Sequence, residues 1–322
     1  FNSKDFSSNF ILVNKNWPTP FWQFYVLFHI LRKHVKILLS PCAYLLPAMN
    51  FICQNVIVIH DLTTLLPATK NTHKLMTRFK EKLLLGSAIR RSKKVIAVSE
   101  STKTDCVKFF KTNSLKIEVA HLAADQRFVD IDSVAPADPD KTAYPKDYIL
   151  SVGTLEPRKN LINLIRAYKM VKVGSAEPDI KLLIVGKKGW YFEEIFQEVK
   201  NLNLEKDIIF SGYLPDDALP CLYHNARCFV YVSLYEGFGL PVLEAMACGC
   251  PVITSNVSSL PEVAGDAAML VDPQNVEMIA RAITDILTDQ KLRADLKLKG
   301  RKRQEKYSWE ITAGKILLTI SE

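Results

Sequence analysis

The run from residue 228 to residue 251 most limits what this chain can fold into, because it predicts a strand, a glycine loop and a helix in that order. Residues 228–233 (CFVYVS) are apolar and β-prone, as a buried strand is. Pro241 suits a first helical turn, and the sequence Gly249-Cys-Pro251 provides a stop. The loop between strand and helix carries Glu236. This order predicts a βα unit with a carboxylate at its mouth.

The glycine loop has the residues that a nucleotide diphosphate-sugar needs. Gly237 and Gly239 let backbone amides approach a ligand closely, and a helix N-terminus adds partial positive charge where a phosphate could sit. Glu244, about one turn inside the helix, can reach back to sugar or ribose hydroxyls. From the pattern alone a plainer interpretation is equally good: the glycines make a turn, and the Glu complements the helix dipole.

A second cluster favours the binding interpretation. Residues 148–153 (YILSVG) indicate a strand, and the turn after it carries Arg158 and Lys159 before an apolar-periodic helix. Ligands of open α/β sheets bind outside the carboxyl ends of the strands, so these cations should face the same crevice as Glu236 and Glu244. Arg offers a planar fork to phosphate and Lys a mobile point charge. A solvated surface pair is the alternative; in either case we expect Arg158 to be an exposed loop cation that contributes little to stability.

The chain alternates strand-like and helical runs, which is typical of parallel βα units. The strand-like runs of the first half are residues 9–13, 35–39, 55–59, 94–98 and 116–121, and those of the second half begin near residues 148, 181, 208, 228, 251 and 268. Residues 136–147 are rich in Asp and Pro and predict a linker. We therefore predict domains at 1–135 and 148–306, and a last helix at 307–322 that begins after Ser308 as N-cap.

Composition is that of a globular protein with ordinary cores. The 322 residues are 48% hydrophobic and 24% charged, and residues 21–31, the most apolar early stretch, are too short to cross a bilayer. That stretch favours a buried helix, with a membrane-facing helix as the alternative. The seven cysteines are odd in number and form no CxxC pair. They predict reduced core residues of a cytoplasmic protein rather than a disulfide framework or a zinc site.

Positive charge is concentrated in the first half of the chain. Residues 1–135 hold 19 Lys+Arg against 9 Asp+Glu, whereas residues 136–322 hold 23 against 25. The densest patch is residues 90–94 (RRSKK), preceded by Lys70, Lys74, Arg78, Lys80 and Lys82. It is either a solvated helix face or a surface attracted to anionic lipid headgroups or a lipid-linked diphosphate. No recognition motif for nucleic acid accompanies the charge.

Three segments carry a resemblance to a known family. SVGTLEPRKN, SLYEGFGLPVLEAMACGCPVITSNVSSLPEVAGDAAMLVDP and VIVIHDL resemble retaining glycosyltransferases of family 4, in the mannosyltransferase and rhamnosyltransferase branch that builds bacterial O-antigen and other surface polysaccharides. The resemblance extends from about Asn9 to the C-terminus. It implies an α/β fold of the GT-B type, in which two doubly wound Rossmann-like domains face each other across a cleft. The second domain would hold the nucleotide-sugar donor and the first the acceptor.

The resemblance also implies roles for individual residues. His60, which follows the strand VIVI, would contact the donor hexose and stabilise the transition state, although a structural cap is the alternative. Ser99 and Asp61 would line the acceptor side, and Ser99 is equally an ordinary helix cap. The implied catalytic residues are His60, Arg158, Lys159 and Glu236, and the implied donor-binding residues are Gly153, Arg158, Lys159, Glu236, Gly237, Phe238, Gly239, Leu240 and Glu244.

What the resemblance implies for the reaction is transfer of a hexose to a glycan or lipid-linked hydroxyl with retention, the departing phosphate helping to deprotonate the acceptor. GDP-mannose is the leading donor, with UDP- and dTDP-sugars open. No cofactor and no metal are expected, since the donor segments lack a DxD-like motif. The last helix is expected to pack back onto the first domain, and the first domain to lack its first βα unit.

Three other functions stay open from the sequence. A glycoside hydrolase would also use two carboxylates, but it would have no use for adjacent cations at a phosphate site. A nucleotide-sugar epimerase of similar fold and a non-catalytic nucleotide-sugar-binding protein are the remaining alternatives. The expected location is cytoplasmic, with peripheral contact at the inner face of the plasma membrane as an option.

Overall fold

A computed structural model describes residues 19–41, 45–65, 75–129, 144–174 and 179–321. Within them lie two parallel sheets with helices between successive strands. The predicted strand at 9–13, Cys42, Lys70, Lys74 and most of the predicted linker fall outside the described residues. The first domain below means residues 19–129, and the second domain means residues 144–304.

The described part of the first domain has a parallel sheet in the order β1-β2-β3-β4. Its elements are α1 (Thr19–Arg32), β1 (Ile37–Ser40), α2 (Leu45–Met49), β2 (Gln54–Ile59), α3 (Leu75–Arg91), β3 (Ser92–Ala97), α4 (Glu100–Phe110), β4 (Ile117–Val119) and α5 (Gln126–Val129). β2 is apolar from Val56 to Ile59 and buried on both faces there, as a central parallel strand must be. Ile57 and Ile59 pack with Leu85 and Ile89 of α3.

Helix α1 is less buried than the sequence suggested. Ile30 is buried, but Phe24, Phe28 and Leu31 are 62%, 56% and 55% exposed. The helix is apolar nearly all round, and only one of its sides faces the core of the described residues, so the expectation of a buried helix holds only for that side. Among the described residues, no helix has the length and apolar character needed to cross a membrane.

The described second domain has a parallel sheet in the order β10-β9-β8-β5-β6-β7. Its strands are β5 (Tyr148–Val152), β6 (Lys181–Val185), β7 (Ile208–Gly212), β8 (Cys228–Tyr231), β9 (Val252–Ser255) and β10 (Met269–Val271), so all the strands predicted for this half are confirmed. The helices are α6 (Leu161–Gly174), α7 (Glu193–Asn201), α8 (Leu219–Asn225), α9 (Leu240–Ala247), α10 (Leu260–Ala264), α11 (Val276–Thr288) and α12 (Gln290–Gln304). Strand order reverses between β5 and β8, and this switch point is where doubly wound sheets open a ligand crevice.

The second domain builds a core on each face of this sheet. Leu150 and Phe229 pack with Met246 of α9 on one face, whereas Ile149 packs with Tyr168 of α6 on the other. Alternate residues of β5 thus enter different cores, which is why the strand is apolar throughout. Both sides of the switch point are therefore rigidly supported.

The last helix, α13 (Trp309–Ser321), lies against the first domain. Thr312 Oγ1 donates to His121 O at 2.5 Å, and Lys315 Nζ donates to Val119 O at 3.3 Å. These carbonyls lie at the end of β4 and just beyond it, so the end of the chain joins the second half of the sequence to the first sheet.

The described cysteines are all free thiols, as expected of reduced core residues. Four of them are buried: Cys106, Cys228, Cys248 and Cys250. Burial raises the pKa of the Cys106 and Cys248 thiols to about 12, which leaves them protonated and unreactive at neutral pH.

Candidate functional site

Two loops at the switch point form the site. The loop after β5 ends in a short 3-10 helix, Pro157–Lys159, and the loop after β8 carries Glu236. The loops are joined by their backbones, since Leu234 N donates to Arg158 O at 2.9 Å. Asn160 Nδ2 adds a bond to Val232 O at 3.0 Å. The cation pair and the carboxylate therefore meet, as the sequence predicted.

Glu236 is held by both cations. Arg158 Nη1 lies 2.6 Å from Glu236 Oε2, and Lys159 Nζ lies 2.6 Å from Glu236 Oε1. The Tyr231 hydroxyl lies 2.9 Å from the same Oε1, and Lys159 Nζ donates to that hydroxyl at 2.5 Å. Because all these groups come from two adjacent loops and β8, their geometry is set within the second domain.

Arg158 is not the exposed cation that the sequence suggested. Its side chain is only 18% exposed, because the 3-10 turn directs it beneath the loop after β8. Its Nε and Nη2 donate to Glu156 Oε1 at 3.0 and 2.7 Å, and Nη1 donates to Tyr235 O at 3.0 Å. Two carboxylates thus balance two cations, so Arg158 is part of a neutral buried cluster that stabilises this edge of the sheet.

Protonation states follow from this cluster. Burial alone would raise the pKa of Glu236, but the charges of Lys159 and Arg158 outweigh it and hold that pKa below its ordinary value. Burial lowers the pKa of Lys159, against the opposing attraction of Glu236. Burial also acts to lower the pKa of Arg158, but Glu236 and Glu156 raise it above its ordinary value. Glu236 is therefore an ionised carboxylate at neutral pH.

Two glycines of the site have little room for a side chain, and Gly153 also has a positive φ. A Cβ on Gly153, whose φ is +150°, would lie 3.2 Å from Cε of Lys159, so this glycine leaves room for the lysine stem. A Cβ on Gly237 would lie 1.8 Å from His60 O. The close approach expected at Gly237 is thus made to the backbone of the first domain.

His60 and Asp61 lie where β2 ends, opposite Gly237. Both are exposed. His60 Nε2 lies 2.8 Å from Pro41 O, and Asp61 Oδ1 accepts from the backbone and hydroxyl of Thr63 at 3.0 and 2.6 Å. The crevice therefore receives one imidazole and one carboxylate from the first domain, and their roles stay predictions.

Ser99 is fully buried and caps α4. It accepts from Thr102 N at 3.0 Å, which is the helix-cap alternative that the sequence left open. Its side chain has no surface toward solvent, so an acceptor role for Ser99 stays a prediction without support from the geometry.

The remaining residues of the glycine loop differ in what they offer. The Phe238 ring is buried, with its centroid 6.0 Å from that of His121 and 5.9 Å from that of Tyr307, so only its backbone can face a ligand. Gly239 caps α9, which begins at Leu240. Glu244 is half-buried, and its Oε2 accepts from the Tyr223 hydroxyl at 3.0 Å.

Several supporting residues were missed from the sequence. Tyr231 and Tyr223 stand in apolar runs, where an aromatic residue indicates core, and nothing in the pattern shows that their hydroxyls bond Glu236 and Glu244. Glu156 had a signal, because it stands two residues before Arg158 in the same turn. Tyr231 ends a strand at the crevice and could have been considered as a partner of Glu236, whereas Tyr223 lies in α8 and had no such signal.

The arrangement can bind an anion and a polyol together. Lys159 carries a further N–H beyond those used with Tyr231 and Glu236. Oε1 of Glu236 already accepts from Lys159 and Tyr231, so Oε2, which contacts Arg158, is the oxygen with a further acceptor site. The N-terminus of α9 lies at the same edge and favours negative charge. A phosphate beside Lys159 and sugar hydroxyls on Glu236 would fit these donors and acceptors.

Comparison with known proteins identifies relatives of this chain. Residues 137–303 match the family described as glycosyl transferases group 1. The chain is 37% identical over 236 residues to O-antigen chain mannosyltransferase B of Escherichia coli, which covers 72% of this chain and 61% of that protein. It is 33% identical over 273 residues to the serotype-specific mannosyltransferase WbdA of Escherichia coli, which covers 83% of this chain and 33% of that protein. The chain thus spans less than two thirds of each relative.

Solved structures share the fold. Sucrose-phosphate synthase from Thermosynechococcus elongatus superposes with a TM-score of 0.77 at 23% identity, over 97% of this chain and 80% of that one. HepE from Anabaena in complex with UDP-glucose gives a TM-score of 0.77 at 19% identity, over 95% of this chain and 85% of that one. The predicted GT-B fold is confirmed.

Proposed function

The chain belongs to the group 1 glycosyl transferases, and from that premise we propose that it transfers a hexose from a nucleotide diphosphate-sugar to a hydroxyl of a glycan or lipid-linked acceptor. The observation that carries this proposal is the buried cluster of Arg158, Lys159 and Glu236 at the switch point of the second sheet. It combines donors for a diphosphate with an ionised acceptor for sugar hydroxyls.

Mannose is the proposed sugar and GDP-mannose the proposed donor. The support is that relatives at 37% and 33% identity are named mannosyltransferases. HepE has been solved in complex with UDP-glucose, but at 19% identity that likeness concerns the fold alone. A more distant relative, 29% identical, is named for a diphospho-undecaprenol substrate, which supports a lipid-linked acceptor.

The proposed chemistry is mainly electrostatic. As the glycosidic bond breaks, negative charge grows on the β-phosphate, where the spare N–H of Lys159, the guanidinium of Arg158 and the N-terminus of α9 stabilise it. Glu236 accepts from sugar hydroxyls, and Glu244 accepts from the ribose. His60, at the end of β2, contacts the hexose from the other side of the crevice.

Retention follows from the proposed direction of attack. The departing phosphate takes the proton of the acceptor hydroxyl on the face from which it leaves, so the new bond forms on that face. Arg158 and Lys159 supply the positive charge at the diphosphate, and the reaction is therefore proposed to need neither a metal nor a cofactor.

The proposed place of the reaction is the cytoplasm, with the first domain in peripheral contact with the inner face of the plasma membrane. Arg90, Arg91 and Lys93 are exposed at the junction of α3 and β3 and supply the positive charge. Binding to vesicles that contain anionic lipid, but not to neutral vesicles, is the expected result. Equal binding to both kinds would contradict an electrostatic attachment.

A donor panel tests the function. Thermal shifts with GDP-, UDP- and dTDP-sugars identify the ligand, and mass spectrometry then detects transfer to a synthetic mannoside acceptor. The expected outcome is a shift with GDP-mannose and a product one hexose heavier, whose anomeric configuration NMR reads as retained. Interconversion of the donor sugar without such a product would indicate an epimerase, and binding without turnover would indicate a binding protein.

A further inference from the structure

Helix α4 of the first domain presents one polar stripe to the loop that carries Glu236. Ser99 caps the helix, and Thr102 and Asp105 follow at helical spacing. Residues three or four positions apart lie on one face of a helix. All three side chains of this stripe contact the loop after β8 in the second domain.

Asp105 holds the residue before Glu236. The Tyr235 hydroxyl donates to Asp105 Oδ2 at 2.7 Å, and Tyr235 as a whole is only 6% exposed. The carbonyl of Tyr235 accepts from Arg158 Nη1 at 3.0 Å. One residue therefore connects α4 of the first domain to the guanidinium that binds Glu236.

Thr102 and Ser99 hold the residue after Glu236. Their hydroxyl oxygens lie 3.0 and 2.6 Å from Gly237 O, and a carbonyl oxygen can accept from both. Both side chains are fully buried, so these bonds are shielded from water. The residues on either side of Glu236 are thus bonded to α4 of the first domain, Tyr235 through its hydroxyl and Gly237 through its carbonyl. The amide and carbonyl of Glu236 itself bond the hydroxyls of Ser258 and Ser259 in the second domain.

The second domain also binds the N-terminus of α4, through Glu262. Glu262 of α10 accepts from Glu100 N at 3.0 Å and from Ser101 N at 3.4 Å, where the helix leaves amides unpaired. It also lies 2.6 Å from His121 Nε2. Because α4 is held at its N-terminus and along its stripe, its position relative to the Glu236 loop is well defined.

We propose that Thr102 and Asp105 are positioning residues for the donor: through Gly237 and Tyr235 they set the place of Glu236 from the opposite domain. The inference rests on the proposed function, because Glu236 is there the acceptor of the sugar hydroxyls. On this inference the first domain contributes to donor recognition through Thr102 and Asp105, although neither side chain contacts the donor. Removing a hydrogen-bonding group of the stripe should therefore weaken binding of the sugar part of the donor more than binding of its nucleotide part.

Three variants and a control test this. Thr102→Val and Tyr235→Phe each remove one hydroxyl at nearly constant volume, and Thr102→Ser restores the first hydroxyl. Thr104→Ala changes the exposed side of the same helix and serves as the control. Calorimetry measures Kd for the nucleotide-sugar that transfers best and for its nucleotide diphosphate, transfer assays measure kcat, and thermal unfolding monitors the fold.

The expected result is a loss of about three- to tenfold in kcat for Thr102→Val and for Tyr235→Phe, as for one hydrogen bond. The affinity for the nucleotide-sugar relative to the nucleotide diphosphate should fall by a similar factor, and Thr102→Ser and Thr104→Ala should resemble wild type. If the residues had a purely structural role, the variants would bind the nucleotide-sugar and the nucleotide diphosphate more weakly by the same factor. That result would overturn the inference, and so would variants in which both kcat and the ratio of the two affinities are unchanged.

The same experiment distinguishes failure of this inference from failure of the proposed function. A wild-type protein that neither binds a nucleotide-sugar nor transfers its sugar contradicts the proposed function, and the inference fails with it. A wild-type protein that transfers sugar, beside variants that match it, contradicts the inference alone.

Discussion

The two domains bring very different surfaces to the crevice between them. In the second domain, Arg158, Lys159 and Glu236 are 11–18% exposed and bonded to one another. In the first domain, His60 and Asp61 are exposed, and their side chains bond Pro41 and Thr63 of neighbouring loops. The charges of the second domain are thus placed by the fold before any ligand arrives, which is the arrangement that electrostatic stabilisation requires.

The difference has a structural origin. The second sheet reverses its strand order, so the ends of β5 and β8 lie side by side and their loops bond to each other. The described first sheet runs in simple sequence order, and the end of β2 approaches Gly237 closely through His60 and Asp61. Substitutions in the cluster of Arg158, Lys159 and Glu236 should therefore affect stability and activity together, whereas substitution of the exposed His60 should affect activity alone.

The largest effect is expected for Arg158→Ala. Removing it deprives Glu156 and Glu236 of a buried partner, which should lower the free energy of unfolding by about 3–5 kcal/mol. Turnover should fall about a hundredfold or more, as for loss of a preorganised donor. Urea unfolding and transfer assays measure the two effects.

His60→Ala is the matched change in the first domain. Its side chain is exposed, so the free energy of unfolding should change by less than about 0.5 kcal/mol while turnover falls. If Arg158→Ala is as stable as wild type, or if His60→Ala unfolds the protein, the contrast between the domains is wrong.

Glu244→Gln should affect binding with little effect on folding. The amide oxygen of Gln can still accept from Tyr223, so the local packing persists. Loss of a charged acceptor costs about 1.5–3 kcal/mol, which corresponds to nucleotide affinity weaker by roughly tenfold to a hundredfold. Calorimetry with a nucleoside diphosphate checks this, and an unchanged affinity would show that Glu244 does not hold the ribose.

Gly237→Ala tests the contact between the domains. The added methyl group would lie 1.8 Å from His60 O, so the backbones must separate, at a cost of about 1–3 kcal/mol. Gly314→Ala in α13 is the control, because no atom beyond its chain neighbours and its own helix backbone lies within 4 Å of its Cβ position. That change should instead stabilise the helix, by about 0.5–1 kcal/mol. Thermal unfolding and small-angle scattering distinguish the two, and a compact, fully stable Gly237→Ala would refute the close approach.

Glu262→Gln should have a smaller effect that depends on pH. Burial would raise the pKa of Glu262, but hydrogen bonds from His121 and Glu100 N hold it below its ordinary 4.5. A carboxyl whose pKa is lower in the folded state stabilises the fold above its unfolded pKa, and this stabilisation is lost as pH falls through the folded pKa.

Because Glu262 is partly exposed, we expect Glu262→Gln to cost only about 1 kcal/mol at neutral pH. The difference from wild type should close below pH 4.5. Urea unfolding at neutral and acidic pH measures it, and a difference that persisted in acid would mean that the charge is not responsible.

The secondary-structure elements and charged residues of the site could be predicted because each has a local sequence pattern. The apolar runs of β5 and β8, the glycine loop and Pro241 each indicate an element, and parallel strands place the loops that follow them on one edge. Arg158, Lys159 and Glu236 were therefore predicted to face one crevice, and the structure goes further by bringing their charged groups into contact.

What the sequence could not give is the partner of each group. Whether Arg158 is exposed depends on how its turn lies under a loop 77 residues away, and Glu262 bonds Glu100 across 162 residues. Such pairs follow from strand order and domain contact, for which no local pattern exists. The burial of Ser99 and the exposure of Phe28 depend in the same way on what packs beside them.

Removal of metal ions is expected to leave the rate of sugar transfer unchanged, which is the smallest of the expected effects. If the cations of the second domain supply the charge at the diphosphate, sugar transfer should continue in an excess of EDTA. A chelator removes metal ions but cannot remove the side chains of Lys159 and Arg158 or the dipole at the N-terminus of α9. The assay compares initial rates with EDTA and with added magnesium or manganese. Activity lost to the chelator and restored by either ion would mean that the charges in the second domain do not suffice for the leaving diphosphate. The contrast between a preorganised second domain and an open first domain would then have to include a metal held between them.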